Sequence, residues 1–173
     1  MSTPMQTYKI ILGIDPGLAT TGWGVIKNSK EKNEQTLIDY GTIDTKPGLE
    51  FPARLKSISD QLNKIIKKTK PEVIAVEKLF FSKNIKTATE VGHARGVILL
   101  TAAQNNLPIK EFTPPEIKQS VSGYGGADKQ QIQTMTKCIL KMQETPKPDD
   151  AADALATACT CATHLNSQLY ETS

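Results

Sequence analysis

Six residues near the start of this 173-residue chain, Ile10-Ile11-Leu12-Gly13-Ile14-Asp15, constrain its fold more than any other segment. The run is apolar at successive rather than alternate positions, so a strand built from it must be covered on both faces. Val73-Ile74-Ala75-Val76-Glu77 has the same pattern. Both runs end in a carboxylate. A carboxylate at the tip of a buried strand is costly to desolvate unless a cation meets it.

The segments between these runs read as strands first and helices afterwards. Pro16-Gly17 marks a turn. Residues 20–26 form a second strand, 27–35 a polar loop, and 36–44 a weaker third strand, which together make an antiparallel meander. Phe51, Leu55, Ile58, Leu62, Ile65 and Ile66 then fall on one helical stripe. Lys67, Lys68 and Lys70 before Pro71 are the expected helix stop, and that reading of the lysines is preferred to DNA binding. The 72–77 strand follows. A long helix over 82–105 carries Val91, Ala94, Val97, Ile98 and Ala102 on one face, and 107–112 is the fifth strand. Thr113-Pro114-Pro115-Glu116 and Asp128-Lys129-Gln130-Gln131 are capping boxes that open two further helices. An alanine-rich helix runs from about 149 to 166. The expected fold class is α/β, with a mixed five-stranded sheet flanked by helices on both faces. The length suits one domain over 1–173, its core spanning about 9–166 and its ends frayed.

The formal net charge is +3 and the pI about 8.7, compatible with nucleic acid. Arg54 and Arg95 are the only arginines; lysine carries the rest of the positive charge. Lysine meets phosphate as a point charge better than it reads guanine edges, so backbone contact is expected over base reading. No apolar run approaches the ~20 residues that span a bilayer, and the polar first nine residues lack a signal-peptide core. We expect a cytoplasmic protein with no membrane association. Cys138, Cys159 and Cys161 have poor zinc spacing and read as small buried apolar residues. His93 and His164 lack obvious ligand partners, although His93, beside Arg95, could face a substrate.

If the first and fourth strands are parallel neighbours, Asp15 and Glu77 meet at the carboxyl end of the sheet, the usual ligand edge of α/β folds. Asp150 and Asp153 are three apart in the first turn of the last helix and share a face. Asp149 competes for the helix cap and is assigned to it, which leaves Asp150 for chemistry. Four carboxylates gathered in one place would suit two Mg2+ ions ~4 Å apart, which can drive in-line displacement at a phosphodiester. Each acid also has a plainer reading, as a turn residue, a solvated strand end or a cap, and it is their joint placement that argues for a site.

These residues carry a family resemblance. Ile11-Leu12-Gly13-Ile14-Asp15-Pro16-Gly17 with Thr21-Gly22-Trp23-Gly24-Val25-Ile26 resembles the opening of the RuvC Holliday-junction resolvases. Val76-Glu77-Lys78-Leu79-Phe80-Phe81, Gly92-His93-Ala94-Arg95-Gly96-Val97 and Asp150-Ala151-Ala152-Asp153-Ala154-Leu155-Ala156 resemble its later motifs. The match runs from about residue 9 to 164. The resemblance implies an RNase H-like fold, a homodimer, and paired symmetric nicks in four-way DNA junctions during recombination and repair. It implies Asp15, Glu77, Asp150 and Asp153 as catalytic metal ligands for Mg2+, two ions per site, with Mn2+ able to substitute. It points to Lys118 and Lys129 as DNA-binding residues near the scissile phosphate, and to Phe80 as an aromatic that stacks at the junction centre. It also implies a branch-migration motor of the RuvA and RuvB type as a partner. Without the resemblance, both lysines read as solvated helix residues and Phe80 as core, with Phe81 the better core candidate. Gly123-Tyr124-Gly125-Gly126 reads as a loop near the DNA backbone or as a plain connection.

Three other readings compete. An RNase H-like enzyme acting on RNA–DNA hybrids or processing RNA would keep the acids. A sugar-kinase or actin-like ATPase would use Asp15-Pro16-Gly17 as a phosphate loop, but it needs two such domains. A non-catalytic junction-binding module would not need the full acidic set.

Overall fold

The computed structural model describes residues 9–29, 31–79 and 85–167, with the side chains of 85–87 outside the description. The strands are β1 (Ile10–Asp15), β2 (Thr20–Ser29), β3 (Glu34–Asp44), β4 (Val73–Glu77) and β5 (Ile109–Phe112). The helices are α1 (Phe51–Thr69), α2 (Ile85–Gln104), α3 (Pro114–Ser122), α4 (Lys129–Ile139) and α5 (Asp149–Ser167). One five-stranded sheet has the order β3-β2-β1-β4-β5. β1, β2 and β3 pair antiparallel, and β4 and β5 add in parallel on the other side of β1.

The unbroken apolar runs have the expected cause. Ile11, Val73 and Ala75 point into a core formed with α3, α4 and α5. Leu12, Ile14, Ile74 and Val76 point the other way, into a core formed with α1 and α2. Successive strand residues therefore feed two separate cores.

The polar loop expected over 27–35 is much shorter. β2 continues to Ser29 and β3 starts at Glu34, with Ser29 opposite Glu34. Ladder hydrogen bonds join backbone groups, so polar side chains do not end the pairing. Both predicted capping boxes form. Thr113 accepts from the Glu116 amide and Asp128 from the Gln131 amide, and each partner side chain reaches back to the cap. The α1 stripe buries Ile58, Leu62 and Ile66. Its helix closes at Lys70, which takes a left-handed conformation (φ 47°) and donates its amide to the Ile66 carbonyl.

Two glycines let α5 lie directly on the sheet. A Cβ at Gly13 would sit 2.1 Å from the Ala154 carbonyl oxygen, and one at Gly22 1.8 Å from the Asp150 carbonyl oxygen. α5 is buried without interruption from Ala154 to Ala162. Cys159 and Cys161 lie inside that stretch, where burial pushes each thiol up to about 12. Cys138 departs from the expectation: it is exposed on α4. Among the described residues, no helix is long and apolar enough to cross a membrane.

Candidate active site

The site follows from strand register. Ile14 pairs with Val76 across the parallel β1–β4 ladder, so Asp15 and Glu77 leave the sheet side by side. On the other side of β1, Asp15 pairs with Gly22, and the first turn of α5 rests on Gly22 through the Asp150 backbone. Three elements thus bring Asp15, Glu77, Asp150 and Asp153 to one end of the sheet.

The electrostatics show how close these groups are. The Asp15 carboxyl is raised from 3.8 to about 8. Burial is the main cause, followed by the charges of Glu77, Asp153 and Asp150 and a hydrogen bond with Glu77. Burial also raises Glu77, with Asp153 adding to the effect. Burial raises Asp153 too, opposed by Lys129. Three half-buried carboxyls are all held above their ordinary range, chiefly by burial and then by the charge of neighbouring carboxylates, which marks a pocket that disfavours uncompensated negative charge. Among the described residues, no three His, Cys, Asp or Glu side chains already close into a metal cage. Asp15 and Glu77 share a hydrogen bond instead.

Lys129 supplies part of the missing positive charge. Its Nζ lies 3.1 Å from Asp153 Oδ2 and 3.2 Å from Asp149 Oδ2. Desolvation would lower this lysine, but its bonds and charge contacts with Asp153 and Asp149 raise it overall. Lys118 lines a cavity of about 220 Å³ together with Glu77, Lys129 and Asp153. A second hollow of about 280 Å³ adjoins it, walled by Asp15, Glu77, Lys78 and Leu79. Both lysines therefore border the acidic cluster, although each reads from local sequence as an ordinary helix residue.

Asp149 is the first residue of α5, not its cap. Its carboxylate accepts from Gln133 Nε2 at 3.0 Å and pairs with Lys129, while the Pro148 carbonyl takes the Ala151 and Ala152 amides. His93 does not border the acids. Its Nδ1 donates to the Thr89 carbonyl at 2.8 Å, and its ring meets Phe51 edge-on at 5.2 Å on the α1–α2 face. Phe80 and Phe81 lie outside the described residues.

A contact that sequence reasoning missed joins α2 to the sheet. Arg95 forms an ion pair with Glu111 of β5, and Glu111 stands opposite Val76, one residue before Glu77. Arg95 was legible as one of only two arginines; its partner was not, because the pairing depends on how α2 crosses β5.

The fold defines a class, the RNase H-like proteins, and in this chain carboxylates gather at the strand ends. The comparisons narrow that class to a family. The family model for crossover junction endodeoxyribonuclease RuvC matches residues 11–161, and the chain belongs to this family. A relative from Caldicellulosiruptor saccharolyticus, a crossover junction endodeoxyribonuclease RuvC, is 53% identical over 161 residues, covering 93% of this chain and 96% of its own. The Thermus thermophilus RuvC structure superimposes with a TM-score of 0.85 at 31% identity, covering 92% of this chain and 96% of that one. T. thermophilus RuvC in complex with Holliday junction substrate gives a TM-score of 0.81 at 29% identity, covering 90% and 94%.

Proposed function

We propose that this chain is a Holliday junction resolvase, a magnesium-dependent endodeoxyribonuclease that nicks four-way DNA junctions at paired symmetric positions in recombination and repair. Family membership and the relative captured on Holliday junction substrate give the reaction class. The observation that carries the chemistry is the convergence of Asp15, Glu77 and Asp153, each held above its ordinary acidity by burial and by its neighbours.

The donor set fits a hard divalent cation. Every ligand candidate is a carboxylate oxygen, and the group is short of positive charge. Asp15, Glu77, Asp150 and Asp153 would hold two Mg2+ ions, with Mn2+ able to replace them. Bound there, the ions would supply Lewis acidity and lower the pKa of water at the scissile phosphate. The protein's own part is positional. β1 and β4 fix two carboxylates by register, and α5 delivers the others from above. Lys129 and Lys118, on the wall of the adjoining cavity, would meet the phosphate and neutralise charge that builds on its oxygens. Phe80 would stack on an unpaired base at the junction centre, worth ~1–3 kcal/mol per base.

Paired nicks require two active sites related by a two-fold axis, so the working unit is a homodimer. Its interface is assigned to α2, where Leu100 is 58% exposed beside a hollow lined by Leu55, Gly96 and Val97. The protein acts in the cytoplasm as one nuclease domain with its core over about 9–166, alongside a branch-migration motor of the RuvA and RuvB type.

The direct test compares a synthetic four-way DNA junction with an RNA–DNA hybrid duplex, each in Mg2+ and in EDTA. Symmetric nicks in the junction alone, and only with metal, are expected. Preference for the hybrid would transfer the chain to another RNase H-like activity.

A further inference from the structure

We propose that Gly22 is a positioning residue of the active centre: its lack of a side chain sets how deeply the Asp150 turn of α5 sits on the sheet. The inference rests on the nuclease reading above and deepens it. Gly22 is directly opposite Asp15 in the β1–β2 register. A Cβ there would lie 1.8 Å from the Asp150 carbonyl oxygen, 2.3 Å from its carbonyl carbon and 3.0 Å from the Ala151 nitrogen. All three atoms are backbone, so no flexible side chain can swing aside. The backbone of Gly22 lies outside the left-handed region, so space rather than conformational freedom demands glycine here.

The neighbouring glycines define the contrast. Gly24 lies under the same helix, but a Cβ there would first meet Leu155 Cδ2 at 2.5 Å and Cγ at 2.7 Å. That obstacle is chiefly the Leu155 side chain, with the Leu155 nitrogen next at 3.1 Å, and it sits beyond the acidic turn. Gly13 faces the Ala154 carbonyl, one full turn past Asp150. Gly22 alone among these three touches the backbone of a carboxylate assigned to the site.

A Cβ contact closer than 3.0 Å essentially never occurs, so alanine at 22 must lift the Asp150 turn by about 1 Å. Within the first turn of α5, the Ala151 and Ala152 amides both donate to the Pro148 carbonyl, so the turn moves as a unit and takes the Asp150 carboxylate with it. Reacting groups displaced by about 1 Å lose about a hundredfold in rate. Mispositioned support around a metal site loses about tenfold or more in metal affinity.

The experiment compares Gly22→Ala with Gly24→Ala in the full chain. Folding is followed by circular dichroism, Mn2+ binding to the DNA-free protein by paramagnetic resonance, junction binding in EDTA, and single-turnover junction cleavage. Gly22→Ala is expected to bind the junction in EDTA as wild type does, to bind Mn2+ about tenfold more weakly, and to cut about a hundredfold more slowly. Gly24→Ala is expected to melt earlier but keep wild-type Mn2+ affinity. Unchanged Mn2+ affinity in folded Gly22→Ala would overturn the proposal. If Gly22→Ala does not fold, Gly24→Ala decides. Retained Mn2+ affinity then supports the assignment, and a loss of about tenfold overturns it, because a lift anywhere along α5 would suffice. The Mn2+ measurement reads Gly22 even if wild type leaves junctions intact, a result that would overturn the nuclease reading alone.

Discussion

Asp15→Asn should make the metal-free protein more stable at pH 8 while abolishing cleavage. In the folded protein the Asp15 carboxyl is raised from 3.8 to about 8, chiefly by burial and then by Glu77, Asp153 and Asp150. Between those two values the folded state holds a proton that the unfolded chain has released. This group's contribution to stability is therefore full below pH 3.8 and is lost as pH rises toward about 8. Asparagine imitates the protonated acid at every pH, and its amide can still donate to Glu77. At about 1.4 kcal/mol per pH unit the full gap sets a ceiling of ~6 kcal/mol. The proton is shared with Glu77, and water reaching this half-buried site screens the charge, which leaves a stabilisation of about 2 kcal/mol. For a domain of this size that corresponds to roughly 4–8 °C in melting temperature. Thermal melts in EDTA across pH 4 to 8 check it: the two proteins should converge at the acid end and separate steadily above it. Saturating Mg2+ at pH 8 should raise the wild type and not the variant. A pH-independent difference, or a less stable variant at pH 8, would refute the account of the acidic cluster.

Three further outcomes are expected. Lys129→Ala should slow single-turnover cleavage by about a hundredfold with little change in junction affinity, because its ammonium pairs with Asp153 at the site; equal loss of affinity and rate would make it a binding residue only. Leu100→Glu should convert the dimer to a monomer in sedimentation and remove paired nicking, since it places a charge on the exposed α2 face; an unchanged dimer mass would move the interface elsewhere. Phe80→Ala should slow junction cleavage with normal circular dichroism, and unchanged turnover would return Phe80 to a packing role.

The ends of β1 and β4 and the starts of α3 and α4 were legible because they follow from short-range chemistry. The β1 and β4 runs, both capping boxes and the α1 stop are each set by a handful of adjacent residues. The joint position of Asp15 and Glu77 was also legible, because two buried parallel strands put their final residues at the same end. The extent of the β2–β3 hairpin was not, since its last pairs join polar residues whose backbones alone bond. The register shift between Val25 and Ile26, whose partners are Asp39 and Leu37, was not legible either, because both β2 residues are apolar and buried across it. Asp149 was misread because a cap and an ion pair ask for the same side chain, and the choice depends on where α4 places Lys129 and Gln133. The closeness of α5 to Gly22 was hidden because a glycine's role in packing is invisible until its neighbour is known.

α5 carries two of the four acids and is also the most deeply enclosed helix, with nine consecutive residues from Ala154 to Ala162 sealed from water. The proposed catalyst and the keel are one piece of chain. Heat should therefore extinguish nicking and cooperative structure on a single curve, with no dead but intact intermediate between them.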